Sequence, residues 1–339
     1  MRGYRIESWG TDPVLTDVPD PVPGRGEVLV QVEACGVGAT VLNCINGDLA
    51  NDPELLPRVP GHEFVGVIRD VGPGVDPTVV GRRIAAYFYL FCGRCGPCTT
   101  GLEQRCSRLA GFVGVHRDGG YAPLATLPVR NAVAIPDDLD PIAATVVPDA
   151  VATSLHLTHR AGIGTGDRVV IMGAGGGVGM HAIQTTLNAG AAVVGIDMTT
   201  EKLDAISDLG AAAARGEDLT GLSPELFGGE RATVVVDFVG TPETVDWSLD
   251  ALGMGGRFVT LTTFRDRSAT FRSRRMVFQE LALLGSRYTT RTELEHAARM
   301  VSSGAVKPVI GATKRLEDVL ELHAMLRANE LVGRGALEL

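Results

Sequence analysis

Long hydrophobic runs and an excess of basic residues are both missing from this chain of 339 residues. Lysine and arginine number 31 against 40 aspartates and glutamates, so the formal net charge is −9. A negative charge disfavours nucleic acid and anionic membrane surfaces as partners. No apolar run reaches the roughly 18 residues of a membrane span, and the opening MRGYRIESWG lacks the apolar stretch of a signal peptide. We therefore expect a cytoplasmic protein that acts on a small molecule.

Cysteine is also scarce, and its distribution is uneven. The chain has six cysteines, and four of them follow the spacing C-x2-C-x2-C-x7-C at Cys92, Cys95, Cys98 and Cys106. In a reducing compartment, such crowding favours metal ligands over disulfides. Four thiolates close a tetrahedral zinc shell and leave no open position, which is typical of a structural site. The spacing therefore predicts a structural zinc, and an iron–sulfur cluster is the competing interpretation.

Internal repeats and low-complexity linkers are absent as well, and the chain divides by its pattern of apolar residues. Residues 1–150 contain short β-branched runs broken by proline and glycine, which predicts short strands and turns. From residue 151 to 287, apolar strands such as DRVVIMG alternate with helical segments such as TEKLDAISDLG. This alternation predicts a parallel sheet covered by helices on both faces. Over residues 288–339 it loosens into two helical segments and a short strand-like tail.

A glycine-rich turn follows the first strand of the alternating region. Its residues are Gly173, Gly175, Gly176, Gly177, Val178 and Gly179, with Ala174 between the first two. The turn stands between an apolar strand and a helix, where glycines let the backbone approach a pyrophosphate at the helix N-terminus. It therefore predicts a dinucleotide site, and a tight packing turn without a ligand is the alternative.

The second strand of the same region ends at Asp197, 24 residues after Gly173. An acidic residue about 20 residues after the turn accepts hydrogen bonds from ribose hydroxyls, and its charge repels a 2′-phosphate. Asp197 therefore favours NAD(H) over NADP(H). A helix N-cap is the alternative role for this side chain.

With these features in place, the whole chain resembles the zinc-dependent medium-chain dehydrogenase/reductase family. The sequence PGHEFVG over Pro60–Gly66 is similar to the family's GHE segment. The resemblance implies an α/β protein with a GroES-like, β-rich catalytic domain over 1–150 and 288–339, including the structural zinc lobe at 92–106. A Rossmann domain with a doubly wound parallel sheet would occupy 151–287. The family also implies an NAD(H)-dependent, alcohol dehydrogenase-like enzyme that forms a homodimer or homotetramer.

The resemblance assigns cofactor roles to three further residues. Thr153 matches the residue that packs on the nicotinamide ring. Lys202 matches one near the adenosine ribose, and Arg334 matches one that reaches the pyrophosphate from the C-terminal tail.

The family's catalytic zinc site is only partly matched. His62 and Glu63 fall on its middle element, and Asp149 falls on a later one. The first element departs from the pattern A-C-G-x-C-x-[ST]-D-x-H, because the chain has ACGVGATVLN there. Gly38 replaces the ligand cysteine, and valine and asparagine replace the aspartate and the relay histidine. Thr40, whose hydroxyl would contact the substrate oxygen, is retained.

Two interpretations of this incomplete site follow. His62, Glu63 and Asp149 can still form a three-ligand metal site, which would be weaker without the thiolate. Alternatively, His62 and Asp149 form a hydrogen-bonded pair without a metal. Cys44 is interpreted as a buried packing residue rather than as a replacement ligand.

The expected reaction is hydride transfer between nicotinamide and a small, apolar substrate. An alcohol dehydrogenase needs a Lewis acid on the oxygen, whereas the cofactor alone carries the hydride chemistry. If a zinc ion is bound, we therefore expect a carbonyl to accept the hydride or an alcohol to donate it. Without zinc, a conjugated C=C bond becomes a possible hydride acceptor. A non-redox enzyme that keeps NAD or its pocket, and a regulatory pseudoenzyme, are the alternatives. The segments 38–46, 87–91 and 260–264 and His116 are expected to line the substrate site.

Overall fold

The computed structural model describes residues 1–217, 219, 221–262, 268 and 270–339, and in it the chain folds into two units. The first unit comprises Met1–Ala152 and Thr289–Leu339, and the second comprises Thr153–Tyr288. Within the described residues, no helix is both long enough and apolar enough to cross a bilayer.

The strands are numbered in chain order. They are β1 (Arg2–Arg5), β2 (Val14–Asp17), β3 (Glu27–Val37), β4 (Glu63–Val71), β5 (Arg83–Ala86), β6 (Leu124–Pro128), β7 (Ala132–Ala134), β8 (Arg168–Met172), β9 (Ala192–Asp197), β10 (Ala212–Arg215), β11 (Ala232–Asp237), β12 (Leu252–Thr260), β13 (Ala282–Gly285), β14 (Ile310–Arg315) and β15 (Arg334–Glu338).

The α-helices are numbered in the same way. They are α1 (Ala39–Ile45), α2 (Gly96–Thr99), α3 (Pro141–Ala144), α4 (Ala152–Ala161), α5 (Gly177–Asn188), α6 (Thr200–Asp208), α7 (Pro242–Ala251), α8 (Ser273–Phe278), α9 (Arg291–Ser302) and α10 (Val319–Arg327), and a π-helical turn spans Val147–Val151.

The central strands of the second unit are mainly apolar and buried. In β8 (sequence RVVIM), the side chains of Val169, Val170 and Ile171 are fully buried, although they alternate between the two faces of the sheet. Such strands need cover on both sides. The sheet runs in the order β10-β9-β8-β11-β12-β13, and each of these neighbouring pairs is parallel. The predicted doubly wound parallel sheet is therefore confirmed.

The sheet of the first unit is organised around the long strand β3. Its order is β14-β15-β3-β4-β5-β7, and β6 also pairs with β3. The strands paired with β3 are all antiparallel to it, including the C-terminal strand β15. The end of the chain therefore returns to the first unit and lies directly beside β3, where it contributes to the site described below.

Candidate active site

The glycine turn joins β8 to α5 in the second unit. Gly173 adopts a positive φ of 72°, which glycine tolerates at little cost. A Cβ at Gly179 would lie 2.6 Å from the carbonyl oxygens of Gly173 and Ala174, so only glycine lets α5 begin this close to the turn. The turn therefore has the close backbone approach that a pyrophosphate requires at a helix N-terminus.

Asp197 lies against this turn at the end of β9. Its Oδ2 accepts a hydrogen bond of 2.8 Å from the Gly175 N–H, and its Oδ1 accepts one of 2.9 Å from the Met198 N–H. Lys202 Nζ is 3.9 Å from the same carboxylate. The N-cap of α6 is Thr199 and not Asp197, so the capping role is taken by another residue. The Gly173 turn and Asp197 together fit the phosphates and ribose of a dinucleotide.

Thr153 is buried in α4. The hydroxyl of the next residue, Ser154, donates a hydrogen bond of 3.0 Å to the carbonyl of Val178 in α5. The structure thus places Thr153 near the glycine turn, and its contact with a nicotinamide ring stays a prediction.

The four cysteines of the lobe converge in the first unit. Their sulfur atoms all lie within 4.8 Å of one another, and none of them forms a disulfide. Cys95 Sγ is 3.3 Å from Cys98 Sγ and 3.8 Å from Cys106 Sγ. The backbone N–H of Cys98 lowers the pKa of Cys95 to about 5, which favours the thiolate that a metal binds. This donor set fits a closed tetrahedral zinc site.

Cys98→Ser is expected to reduce the zinc content of the purified protein and to lower its melting temperature by about 3 °C, because metal binding organises the lobe. Elemental analysis and thermal unfolding measure the two effects. The Kd for NADH should stay within about twofold of the wild-type value, since the lobe contributes no residue to the glycine turn. A wild-type protein that is fully folded and free of zinc would contradict this prediction.

A second cluster of charged residues forms where β3, β4 and β15 lie side by side. Glu63 is opposite Gly36 in the β3–β4 register. Gly335 is opposite Val37 in the antiparallel β15–β3 register, which brings Arg334 level with Gly38. Glu63 and Arg334 therefore flank the end of β3 from its two sides.

The guanidinium of Arg334 binds both carboxylates of this cluster. Its Nε and Nη2 donate two parallel hydrogen bonds of 2.9 Å to Glu63, and Nη2 also donates to Asp149 of the π-helical turn. All three side chains are buried. Burial alone would lower the pKa of Arg334, but the adjacent carboxylates raise it above its usual value, so the guanidinium stays charged.

Two glycines of this region make room for the ion pair. A Cβ at Gly36 would come within 2.5 Å of Glu63 Oε2. A Cβ at Gly38 would overlap with Nη1 and Cζ of Arg334. Gly38 has an extended backbone with φ of −131°, so its role is steric and does not depend on a strained conformation. Arg334 therefore occupies the space that a side chain at residue 38 would fill.

His62 completes the cluster. Its Nε2 is 3.5 Å from Glu63 Oε1 and 3.8 Å from Asp149 Oδ2, and it has no hydrogen-bond partner within the described part of the chain. The imidazole ring lies against Phe88, with ring centroids 4.2 Å apart. Burial raises the pKa of Glu63, and the charge of Arg334 opposes this rise.

This donor set has only part of what the family's catalytic zinc requires. The donor atoms of His62, Glu63 and Asp149 lie within 4.8 Å of one another, as in a metal site. However, no side chain extends from residue 38, and the guanidinium of Arg334 already binds both carboxylates. A zinc ion would have to compete with a buried, bidentate cation for the same oxygens. The residues therefore do not fit the family's catalytic zinc.

Arg334 was expected from the resemblance to contact the pyrophosphate. The structure shows instead that Glu63 and Asp149 bind its guanidinium, and a pyrophosphate contact stays a prediction. The sequence signal for the ion pair was Gly38, because a lost side chain leaves a volume that another group can fill.

The remaining expected site residues have varied surroundings. Thr40 is half-buried in the first turn of α1. Cys44 is buried, and its sulfur is not one of the donor atoms grouped with His62. His116 Nδ1 accepts a hydrogen bond of 3.2 Å from the Phe112 N–H, and burial lowers its pKa. Residues 263 and 264, expected to line the substrate site, lie outside the described residues.

Two family models match the sequence. The model described as alcohol dehydrogenase GroES-like domain covers residues 24–137, and the model described as zinc-binding dehydrogenase covers residues 177–303.

Individual proteins are similar over nearly the full length. An acryloyl-coenzyme A reductase from Sulfurisphaera tokodaii is 32% identical over 337 residues, covering 98% of this chain and 96% of the relative. An alcohol dehydrogenase from Geobacillus stearothermophilus is 32% identical over 330 residues, with coverage of 96% and 95%. The structure of acetophenone reductase from Geotrichum candidum in complex with NAD is 28% identical, with a TM-score of 0.89 and coverage of 99% and 96%.

Proposed function

The chain belongs to the zinc-type medium-chain alcohol dehydrogenase family, and we propose that it reduces the C=C bond of a small α,β-unsaturated carbonyl compound without a catalytic metal. The chain is an NAD(P)-dependent oxidoreductase of this family. This finding sets aside the non-redox and regulatory alternatives. The finer choice among C=O, alcohol and C=C substrates is the subject of the proposal.

The observation that supports the proposal is the place of Arg334. Gly38 stands where the family has a metal-ligand cysteine, and the guanidinium of Arg334 fills that space while it binds Glu63 and Asp149. The guanidinium of Arg334 thus binds the two carboxylates that a metal ion would need as ligands. The reaction must then proceed without the strong Lewis acid that an isolated carbonyl requires.

Reduction of a conjugated C=C bond needs a weaker electrophile on the oxygen than reduction of an isolated ketone does. NADH supplies the hydride when bound. A β-carbon that receives hydride passes the C=C electron pair into an enolate, whose charge is delocalised, whereas an isolated ketone concentrates the charge on one oxygen. Hydrogen-bond donors can stabilise an enolate without a metal. The acryloyl-coenzyme A reductase among the relatives is in keeping with this substrate class.

The experiment compares substrates and metal content in one preparation. Turnover of NADH is measured with cyclohexenone and a crotonyl thioester, and with cyclohexanone and acetaldehyde as matched substrates without conjugation. We expect faster turnover of the conjugated compounds and about one zinc per chain, which the cysteine lobe holds. Activity should survive a chelator that leaves this zinc in place. Ketone reduction that depends on a second zinc would overturn the proposal and assign His62, Glu63 and Asp149 to a metal.

We expect the protein to bind NADH more tightly than NADPH, because the Asp197 carboxylate lies at the glycine turn and repels a 2′-phosphate. Asp197→Ser should shift the ratio of the two Kd values toward NADPH by roughly tenfold, or about 1.4 kcal/mol. Fluorescence titration with both cofactors measures the ratio. Asp208→Ser, which changes an exposed carboxylate at the end of α6, is the control and should leave it unchanged. Equal ratios in the wild type and Asp197→Ser would contradict the prediction.

We also propose an oligomeric state and a cellular location. The family resemblance supports a homodimer or homotetramer, which light scattering on the purified protein tests. The crowded free thiols at 92–106 support a reducing compartment, and we propose the cytoplasm.

A further inference from the structure

Arg334 has one guanidinium nitrogen that the ion pair does not use. Its Nε and Nη2 bind Glu63 and Asp149. Nη1 donates to no acceptor among the described residues, and it lies where a Cβ of residue 38 would be. A charged N–H donor is therefore available at the position that the family gives to a metal ligand.

The surroundings hold this donor in place. The two parallel hydrogen bonds to Glu63 fix the plane of the guanidinium, and the bond to Asp149 fixes its rotation. Glu63 is itself fully buried across Gly36 of β3. The group therefore needs little reorganisation when charge develops nearby, which is the condition under which a hydrogen-bond donor stabilises a transition state most strongly.

From this arrangement we infer that Nη1 of Arg334 is the electrophile that binds the substrate carbonyl oxygen. The inference rests on the proposed function, because it names the group that replaces the metal in conjugate reduction. A hydride with its electron pair bonds to the β-carbon of the substrate, and NADH becomes NAD⁺. The C=C electron pair moves to form the enolate, and the enolate oxygen accepts a hydrogen bond from Nη1. The α-carbon then takes a proton from water, which becomes hydroxide, and the saturated carbonyl compound remains.

Gly38→Ala tests the inference without removing any charged group. The added Cβ overlaps with Nη1 and Cζ, so the guanidinium must move away from its position. We expect kcat for cyclohexenone to fall by about 100-fold, which is typical of the loss of one such donor. Gly164→Ala is the matched control, since a Cβ at Gly164 meets no atom within 4 Å, and it should leave kcat unchanged.

A nitroalkene substrate separates a catalytic role from structural damage. The nitro group stabilises the developing negative charge by itself, so its reduction should depend much less on Nη1. We expect Gly38→Ala and Arg334→Lys to reduce kcat for cyclohexenone far more than kcat for a nitroalkene. Equal losses with both substrates, or full activity of Gly38→Ala with cyclohexenone, would overturn the inference. A wild-type protein that reduces no conjugated substrate would instead refute the proposed function.

Discussion

Gly38→Cys is expected to raise the zinc content from about one to about two ions per chain, because it restores the thiolate missing from the family's ligand set. The new side chain would overlap with the guanidinium of Arg334 and displace it. The thiolate, His62 and Asp149 would then provide three ligands, and a water molecule could take the fourth position. Because the guanidinium of Arg334 is the proposed electrophile, its displacement should also lower kcat for cyclohexenone by about 100-fold. Elemental analysis and initial rates on the same preparation measure both effects.

Gly164→Cys is the matched control for this experiment. It adds a thiol at a glycine where a Cβ meets no atom within 4 Å. Zinc content and cyclohexenone turnover should both stay at wild-type values. If Gly38→Cys also keeps one zinc per chain and full activity, then Arg334 is not the group that replaces the metal ligand.

Local spacing predicts the cofactor site and the cysteine lobe well, because the residues that form each of them lie close together in sequence. Gly173 and Gly179 are separated by a single turn, and the four cysteines span fifteen residues, 92–106. The alternation of strands and helices likewise predicts the parallel sheet, because buried strands require apolar residues on both faces. The sheet of the second unit confirms this expectation.

The charged cluster depends on long-range pairing and could not be predicted in the same way. Arg334 reaches Glu63 across 271 residues of sequence. The contact exists because β15 pairs with β3 in a register that brings Arg334 level with Gly38. The sequence predicted only a short strand-like tail there, and neither its neighbour nor its register. The resemblance supplied a different role for Arg334, since family motifs do not show how a nearby substitution changes the partners of a side chain.

The ion pair also has a large expected effect on stability. Glu63 is fully buried and forms two of the hydrogen bonds of Arg334. Glu63→Leu removes these acceptors and leaves a buried cation with Asp149 as its remaining carboxylate partner. The free energy of unfolding is therefore expected to fall by about 3–5 kcal/mol, as for other broken buried pairs. Urea denaturation of the wild type and the variant measures this difference.

Glu7→Leu is the matched control, because Glu7 pairs with Arg5 at 2.7 Å near the surface, where such a pair contributes less than about 1 kcal/mol. The double variant Glu63→Leu/Arg334→Leu is expected to regain part of the loss, since it no longer buries a cation without its main partner. The losses in unfolding free energy of Glu63→Leu and Arg334→Leu should then sum to more than the loss of the double variant. The difference should be well over the roughly 0.5 kcal/mol seen for independent sites. Two results would mean that Arg334 does not depend on Glu63 for its place beside Gly38. One is a loss of unfolding free energy in Glu63→Leu that is no larger than in Glu7→Leu. The other is strict additivity of the unfolding free energies of the two single substitutions in the double variant.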